Sequence, residues 1–258
     1  MPSAFTPTPE AFARALLSRL KILGAVNLDE LASRIGLKIR EVDSDTFEGA
    51  LVRIPNRPVG RVAVSRDIRE PGRRRFTISH EIGHYVLPGH GQSICKTREI
   101  ESWGRAISAQ ELAANRFASE LLLPTPLVAR MVRTQWATIE AARDISNQFH
   151  TSLTAAAMKC MDVTDEKCVL VVTDASVIQW TRPSDAFRHY VARGNRVSTG
   201  SFASRLFTGP ERQLEGAVPA DAWLSGAESG KVWEDSILLP FYNRVLTIVT
   251  IRPGDLSS

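Results

Sequence analysis

The chain has 258 residues, of which 43% are hydrophobic and 23% charged, and its formal net charge is +4. This balance is typical of a globular protein of one or two domains and excludes disordered, collagen-like and disulfide-scaffold chains. The sequence contains neither a run of about 18 apolar residues nor an N-terminal signal segment. Three scattered cysteines without a C-x-x-C pair are predicted to be buried small hydrophobic residues. We therefore expect a cytoplasmic protein that does not contact membranes.

Positive charge is concentrated in one segment. Between Arg53 and Arg75 there are eight arginines and only two acidic residues, Asp67 and Glu70. A basic surface of this kind attracts acidic protein surfaces or nucleic acid. The alternative is an ordinary solvated surface.

The N-terminal part is predicted to form two helices and then a small sheet of three strands. An apolar stripe that ends at Leu23 indicates the first helix, while Asn27 and Gly36 are suited to begin and end the second. The predicted elements are helices at Glu10–Leu23 and Leu28–Ile35 and strands at Leu37–Val42, Ala50–Ile54 and Arg61–Ser65.

Helical periodicity dominates the middle of the chain. His90–Arg105 is polar and has no clear period, so no element is predicted there. The predicted helices are Phe76–Leu87, Ser108–Leu123, Pro126–Thr134, Thr138–Phe149 and Ser152–Met161.

In the C-terminal part, apolar and polar residues alternate with a period of two, which is typical of strands. One hairpin is predicted from Val169–Thr173 and Val177–Trp180, and a second from Ser236–Phe241 and Arg244–Ile251. Arg193–Gly230 has weak patterning, with loop, short strands or a helix around Ser201–Leu206 as the alternatives. These elements predict an α+β chain divided at residues 1–125, 126–164 and 165–258.

His80-Glu81-Ile82-Gly83-His84 is an H-E-x-x-H motif within a predicted helix. Residues four apart on a helix share a face, so both imidazoles can bind one metal ion. Neutral imidazoles suit zinc, and a carboxylate next to the first of them can take a proton from water. Manganese is the alternative metal.

A catalytic zinc usually has three protein ligands, so a third is needed from elsewhere. Glu111 is favoured because small residues follow on its helix face, which would allow the two helices to approach closely. Glu120 is about half a turn out of phase and should point away. The remaining candidates are His90, Glu99 and Glu101.

The segment from Phe76 to His84, followed by Glu111-Leu112-Ala113-Ala114-Asn115-Arg116-Phe117-Ala118 and Leu121-Leu122-Leu123-Pro124, resembles the ImmA/IrrE family of metallopeptidases. The resemblance implies a zincin-like domain in which His80, His84 and Glu111 bind zinc and Glu81 is the catalytic base. It also implies a helical linker resembling a helix-turn-helix and a small C-terminal α+β domain similar to GAF sensor domains.

The resemblance further implies a function. Family members inactivate a helix-turn-helix (XRE-like) repressor and so induce stress-response or mobile-element genes, which predicts a repressor-cleaving zinc endopeptidase here. Tyr85, His90 and Arg116 are candidates to stabilise the transition state. Ala50–Ile54 would accept an extended substrate if it forms a sheet edge.

The alternative is a non-proteolytic DNA- or protein-binding transcriptional regulator with a structural metal site. Ser152–Met161, the candidate recognition helix, contains one basic residue, Lys159. A helix with so little charge is poorly suited to phosphate contacts, so DNA binding is not expected. The carboxylate of Glu81 favours the endopeptidase over the regulator, because a structural metal site has no use for a carboxylate that does not bind the metal. The sequence leaves the oligomeric state open.

Overall fold

The computed structural model describes residues 7–54, 57–91, 93–95, 108–133, 136–227, 229–239 and 243–256, with only the backbone of 93–95. These residues cluster into two compact units. The first runs to Leu127 and includes Ser146–Ser152, and the second contains Val128–Ile145 and the chain from Leu153. None of the described helices is long and apolar enough to span a membrane. The three-part division proposed from the sequence stays a prediction.

The first unit begins with helices α1 (Pro9–Arg19) and α2 (Leu28–Arg34). The predicted cap of α2 is confirmed, since the Asn27 side chain accepts a hydrogen bond from the Glu30 amide at 3.2 Å. The predicted extent of α1 was wrong. Lys21 has a φ of 57°, which ends the helix, and Leu23 is 88% exposed instead of buried on the apolar stripe.

The sheet of the first unit has four described strands in the order β1-β3-β2-β4. They are β1 (Leu37–Val42), β2 (Gly49–Arg53), β3 (Gly60–Ser65) and β4 (Ser93–Cys95). β1 and β3 are parallel, and β2 is antiparallel to both β3 and β4. The predicted three strands are confirmed, and β4 was not expected. Because β4 pairs with Gly49–Leu51, that part of β2 is not a sheet edge.

Helix α3 (Pro71–Val86) lies on one face of this sheet, and α4 (Ala109–Leu122) packs against α3. The core between them contains apolar side chains from both helices and from the strands, including Leu51, Val62, Ile82 and Phe117. α3 begins five residues before the predicted start because Pro71 occupies its first turn and Glu70 caps it.

Three more helices follow: α5 (Thr125–Val132), α6 (Ile139–Phe149) and α7 (Leu153–Val163). All three were predicted to within three residues at each end. No observation identifies them as a helix-turn-helix. Lys159 is buried at 6% exposure, so the single base of α7 is not presented on its surface.

The second unit contains an antiparallel sheet of five described strands in the order β6-β5-β9-β8-β7. The strands are β5 (Cys168–Asp174), β6 (Val177–Pro183), β7 (Gln213–Pro219), β8 (Lys231–Leu239) and β9 (Arg244–Thr250). Both predicted hairpins are confirmed by the pairing of β5 with β6 and of β8 with β9. α8 (Phe202–Leu206) and β7 lie in the segment that the sequence left undecided. The α+β class is therefore confirmed, while a GAF-like fold stays a prediction.

Cys160 and Cys168 are buried free thiols, as expected. Burial raises the pKa of both to about 12, so neither ionises near neutral pH. The side chain of Cys95 lies outside the described residues.

The basic segment lies in the first unit, and a basic face formed by it stays a prediction. Most of its arginines have partners within the first unit. Arg53 donates to the carbonyls of His84 and Tyr85, Arg66 pairs with Asp43, Arg73 with Glu48, Arg74 with Glu41, and Arg75 donates to the carbonyl of Val26.

Candidate metal centre

Helix α3 presents the two motif histidines on one side. Its first turn is fixed by Glu70, whose carboxylate accepts hydrogen bonds from the amides of Gly72 at 3.1 Å and Arg73 at 2.8 Å. His80 is 0% exposed and His84 is 3% exposed. Their Nε2 atoms are 3.0 Å apart, as the four-residue spacing predicts.

Helix α4 brings Glu111 to these two nitrogens. Its start is capped by Ser108, whose hydroxyl accepts from the Glu111 amide at 3.1 Å. The helices approach closely at Gly83, where a Cβ atom would lie 3.1 Å from a ring carbon of Phe117 and 3.3 Å from the Cα of Ala114. The small residues favoured from the sequence therefore do lie at the helix contact.

The donor atoms of the three predicted ligands converge. Glu111 Oε2 lies 3.0 Å from His80 Nε2, and Oε1 lies 3.2 Å from His84 Nε2. One ligand atom from each residue lies within 4.8 Å of the other two. Two imidazole nitrogens and one carboxylate oxygen are a donor set that suits zinc. The arrangement therefore fits a divalent cation.

The charge state of Glu111 also suits a cation. Burial would raise the pKa of this carboxyl, but the hydrogen bonds and charges of His80 and His84 outweigh burial and lower the pKa well below its usual range. The carboxylate is therefore ionised at neutral pH.

Each histidine is held through its second ring nitrogen. His80 Nδ1 lies 2.8 Å from Asn115 Oδ1, and His84 Nδ1 lies 3.0 Å from His90 Nδ1. Since the Asn115 oxygen can only accept, His80 Nδ1 is the donor in this pair, and Nε2 is the ring nitrogen that a neutral His80 would offer to a metal. Asn115 was not predicted as a site residue. Its position four residues after Glu111 places it on the same helix face, and this spacing could have identified it.

His90 lies behind His84, on the opposite side of the ring from Glu111. Burial lowers the pKa of His90, and the nearby His84 lowers it further. A largely neutral His90 can exchange a hydrogen bond with His84. The described contact of His90 is with the outer nitrogen of His84, so a role for His90 as a third ligand or as a transition-state stabiliser stays a prediction.

Glu81 is completely buried next to His80 on α3. Gly49 of β2 lies against it, and a Cβ atom there would be 2.7 Å from Glu81 Oε1 and 2.6 Å from Thr77 Cγ2. A side chain at position 49 would therefore push against the carboxylate. No local pattern signals this contact, since the two residues are far apart along the chain.

The other predicted residues lie elsewhere. The Tyr85 ring stacks under the Arg53 guanidinium at 5.0 Å, and Arg116 is exposed and pairs with Glu10 at 2.6 Å. Glu120 is buried and accepts hydrogen bonds from Arg14 and Thr125, so it points away from the histidines as predicted. Glu99 and Glu101 lie outside the described residues.

Comparisons with known proteins agree with this geometry. A model of peptidase family M78, the IrrE N-terminal-like domain, matches residues 32–161. The radiation response metalloprotease IrrE of Deinococcus radiodurans is 27% identical over 99 residues, which are 38% of this chain but only 30% of that protein. A Mycobacterium tuberculosis transcriptional regulator has a TM-score of 0.61 at 14% identity, covering 94% of this chain and 75% of that chain. At this identity the structural likeness shows the fold alone.

Proposed function

The chain belongs to the family of the IrrE N-terminal-like domain, and on this premise we propose that it is a zinc-dependent endopeptidase. His80, His84 and Glu111 would hold the metal, and Glu81 would act as the general base. The observation that carries the proposal is the convergence of three donor atoms within 4.8 Å on two packed helices. Manganese is the alternative metal for the same donors.

The residues around the metal would have different roles in catalysis. A divalent metal supplies Lewis-acid chemistry, which polarises a peptide carbonyl and makes water more acidic. Asn115 and His90 hold the two imidazole rings in orientation through Nδ1. The contact between α3 and α4 fixes the position of Glu111.

Glu81 would move the proton. Its carboxylate takes a proton from the water molecule as the water oxygen attacks the peptide carbonyl carbon. It then gives that proton to the departing amine nitrogen as the C–N bond breaks. Gly49 lies against this carboxylate, so a larger residue at position 49 would displace it.

The proposed substrate is a helix-turn-helix (XRE-like) repressor. Support comes from the family and from the matched relative, which is named a radiation response metalloprotease. Cleavage of such a repressor would induce stress-response or mobile-element genes. The same hypothesis places the protein in the cytoplasm, where the repressor binds DNA.

Glu81→Gln tests the catalytic role. We expect a loss of repressor cleavage of about a thousandfold, within the range for removal of a general base, with metal content unchanged. Cleavage is measured by electrophoresis and mass spectrometry after incubation with metal and a helix-turn-helix protein encoded by a neighbouring gene. Glu140→Gln, a change at an exposed glutamate in α6, is the matched control. Unchanged cleavage by the Glu81 variant would rule out this mechanism.

The second candidate function is a regulator that binds DNA or the repressor without cutting it. DNA reading through α7 is disfavoured because its only base, Lys159, is buried. The version of this hypothesis that we would test is therefore binding of the repressor without cleavage. It predicts that the Glu81→Gln protein still inactivates the repressor while the repressor stays intact.

A further inference from the structure

A cavity of about 290 Å³ lies in the first unit, away from the histidines and Glu111. Its walls come from the start of α2, from α3 and from the turn between α6 and α7. The lining residues are Ala25, Val26, Asn27, Leu28, Asp29, Arg74, Arg75, Ile78 and His150. All of them belong to the same compact unit.

The wall that carries His150 is held tightly against α3. At Gly72 a Cβ atom would lie 2.5 Å from the Ser152 amide nitrogen and 2.9 Å from the Thr151 carbonyl carbon. Only a glycine allows this approach. Close backbone packing therefore fixes the position of this wall of the cavity.

Arg75 is the unusual member of the lining. Its Nη2 donates to the carbonyl of Val26 at 2.8 Å, while its Nε is buried without a hydrogen-bond partner. Within the described part of the chain, Arg75 has no carboxylate partner, whereas Arg73 and Arg74 pair with Glu48 and Glu41. Burial alone lowers the pKa of Arg75. A partly buried guanidinium without an anion is costly, and an unsatisfied group of this kind calls for an explanation.

We propose that this cavity binds a small oxyanion, a phosphate or carboxylate group, with Arg75 as its cationic partner. A guanidinium presents a planar set of donors that matches either group. The His150 ring, which also lines the cavity, can donate a further hydrogen bond. Asp29, an exposed carboxylate at the same cavity, opposes a second negative charge and so favours a ligand with a single anionic group.

The volume limits the size of the ligand. About 290 Å³ corresponds to roughly ten water molecules, at about 30 Å³ each. The cavity therefore has room for a small metabolite.

The cavity is separate from the metal centre. Arg75 and His80 both lie on α3, but five residues correspond to roughly 140° around a helix, and the nine residues to His84 to roughly 180°. The two sites therefore use opposite sides of α3. Failure of the peptidase hypothesis would leave this inference intact.

Isothermal titration of the metal-loaded full chain with inorganic phosphate, and separately with acetate, tests the site. We expect saturable binding of at least one anion, and the tighter of the two identifies the group that the cavity prefers. Arg75→Met should weaken binding by about tenfold or more, the effect of losing charge-assisted hydrogen bonds. Arg69→Met, at an exposed arginine outside the cavity, should not change it.

A second variant changes affinity in the opposite direction. Asp29→Asn removes the opposing carboxylate and should tighten anion binding severalfold, a result that misfolding cannot mimic. Absence of binding by the native chain would overturn the proposal, as would equal binding by the Arg75→Met protein. Binding that survives Arg75→Met but disappears in His84→Ala would place the anion at the metal centre and would also overturn it.

Discussion

Each of the two units holds a glutamate among fixed partners, but the partners are of opposite kinds. In the first unit, Glu111 faces two imidazole nitrogens that can bind a cation. In the second, Glu234 is fully buried and accepts hydrogen bonds from the amides of Phe202 and Ala203, the Trp223 indole and the Ser236 hydroxyl. Fixed N–H and O–H donors satisfy a carboxylate permanently, whereas nitrogens with lone pairs leave room for a metal. The difference in partners separates a ligand site from a structural one.

The largest expected effect is on metal binding. Glu111→Gln replaces the charged ligand by a neutral amide, so we expect metal affinity to fall by about a thousandfold, or about 4 kcal/mol. Competition with a chromogenic chelator measures the affinity. The free energy of unfolding of the metal-free protein should change little. Native affinity in this variant would show that Glu111 is not a ligand.

Glu234→Gln should give the reverse pattern. The amide NH2 group would face the donors that now bind the carboxylate, and we expect a loss of about 3 kcal/mol in the free energy of unfolding. Urea denaturation measures this loss, and metal affinity should be unchanged. If the Glu234→Gln protein lost metal affinity but kept its free energy of unfolding, Glu234 would not have the structural role proposed for it.

The neighbouring Asp235 should make stability depend on pH. Burial raises its pKa from 3.8 to about 6, although the amide of Ile139 and Gln213 donate hydrogen bonds to it. The folded state therefore holds this proton to a higher pH than the unfolded chain does. Its stabilising contribution is complete below about pH 4 and is lost as the pH rises through 6. A shift of this size corresponds to about 3 kcal/mol.

Asp235→Asn should remove this pH dependence and make the protein more stable than the native chain above pH 6. Urea denaturation between pH 4 and pH 8 measures both effects. Asp221→Asn, a change at an exposed aspartate in the same unit, is the control and should leave the profile unchanged. A native profile in the Asp235 variant would mean that this carboxyl does not cause it.

The smallest predicted effect concerns Asn115. Asn115→Leu removes the acceptor that orients His80, and we expect metal affinity to fall by about 10- to 100-fold. Asn115→Asp keeps an acceptor and should restore the affinity, which a merely structural role would not explain. The absorption spectrum of the cobalt-substituted protein reports directly on the ligand geometry. Equal affinities in the Leu and Asp variants would argue against orientation through this bond.

Local sequence was sufficient to predict the elements that carry the site. The four-residue spacing of His80 and His84, the cap at Asn27 and the small residues after Glu111 all act within one or two helical turns. The same reasoning failed where the neighbours are distant in sequence. β4 has three residues and no period, and β7 contains Gly216 in a positive-φ conformation, so neither shows a strand pattern.

Residue type and helical period were enough to name the candidate ligands and the helix faces that carry them, because both act within a single helix. Long-range packing brings in the distant groups around these candidates. The approach of Gly49 to Glu81 and the exposed pairing of Arg116 with Glu10 depend on how separate segments pack. The position of Arg75 in the lining of its cavity has the same origin. Packing brings together residues that no local pattern connects, so these contacts could not be predicted from spacing.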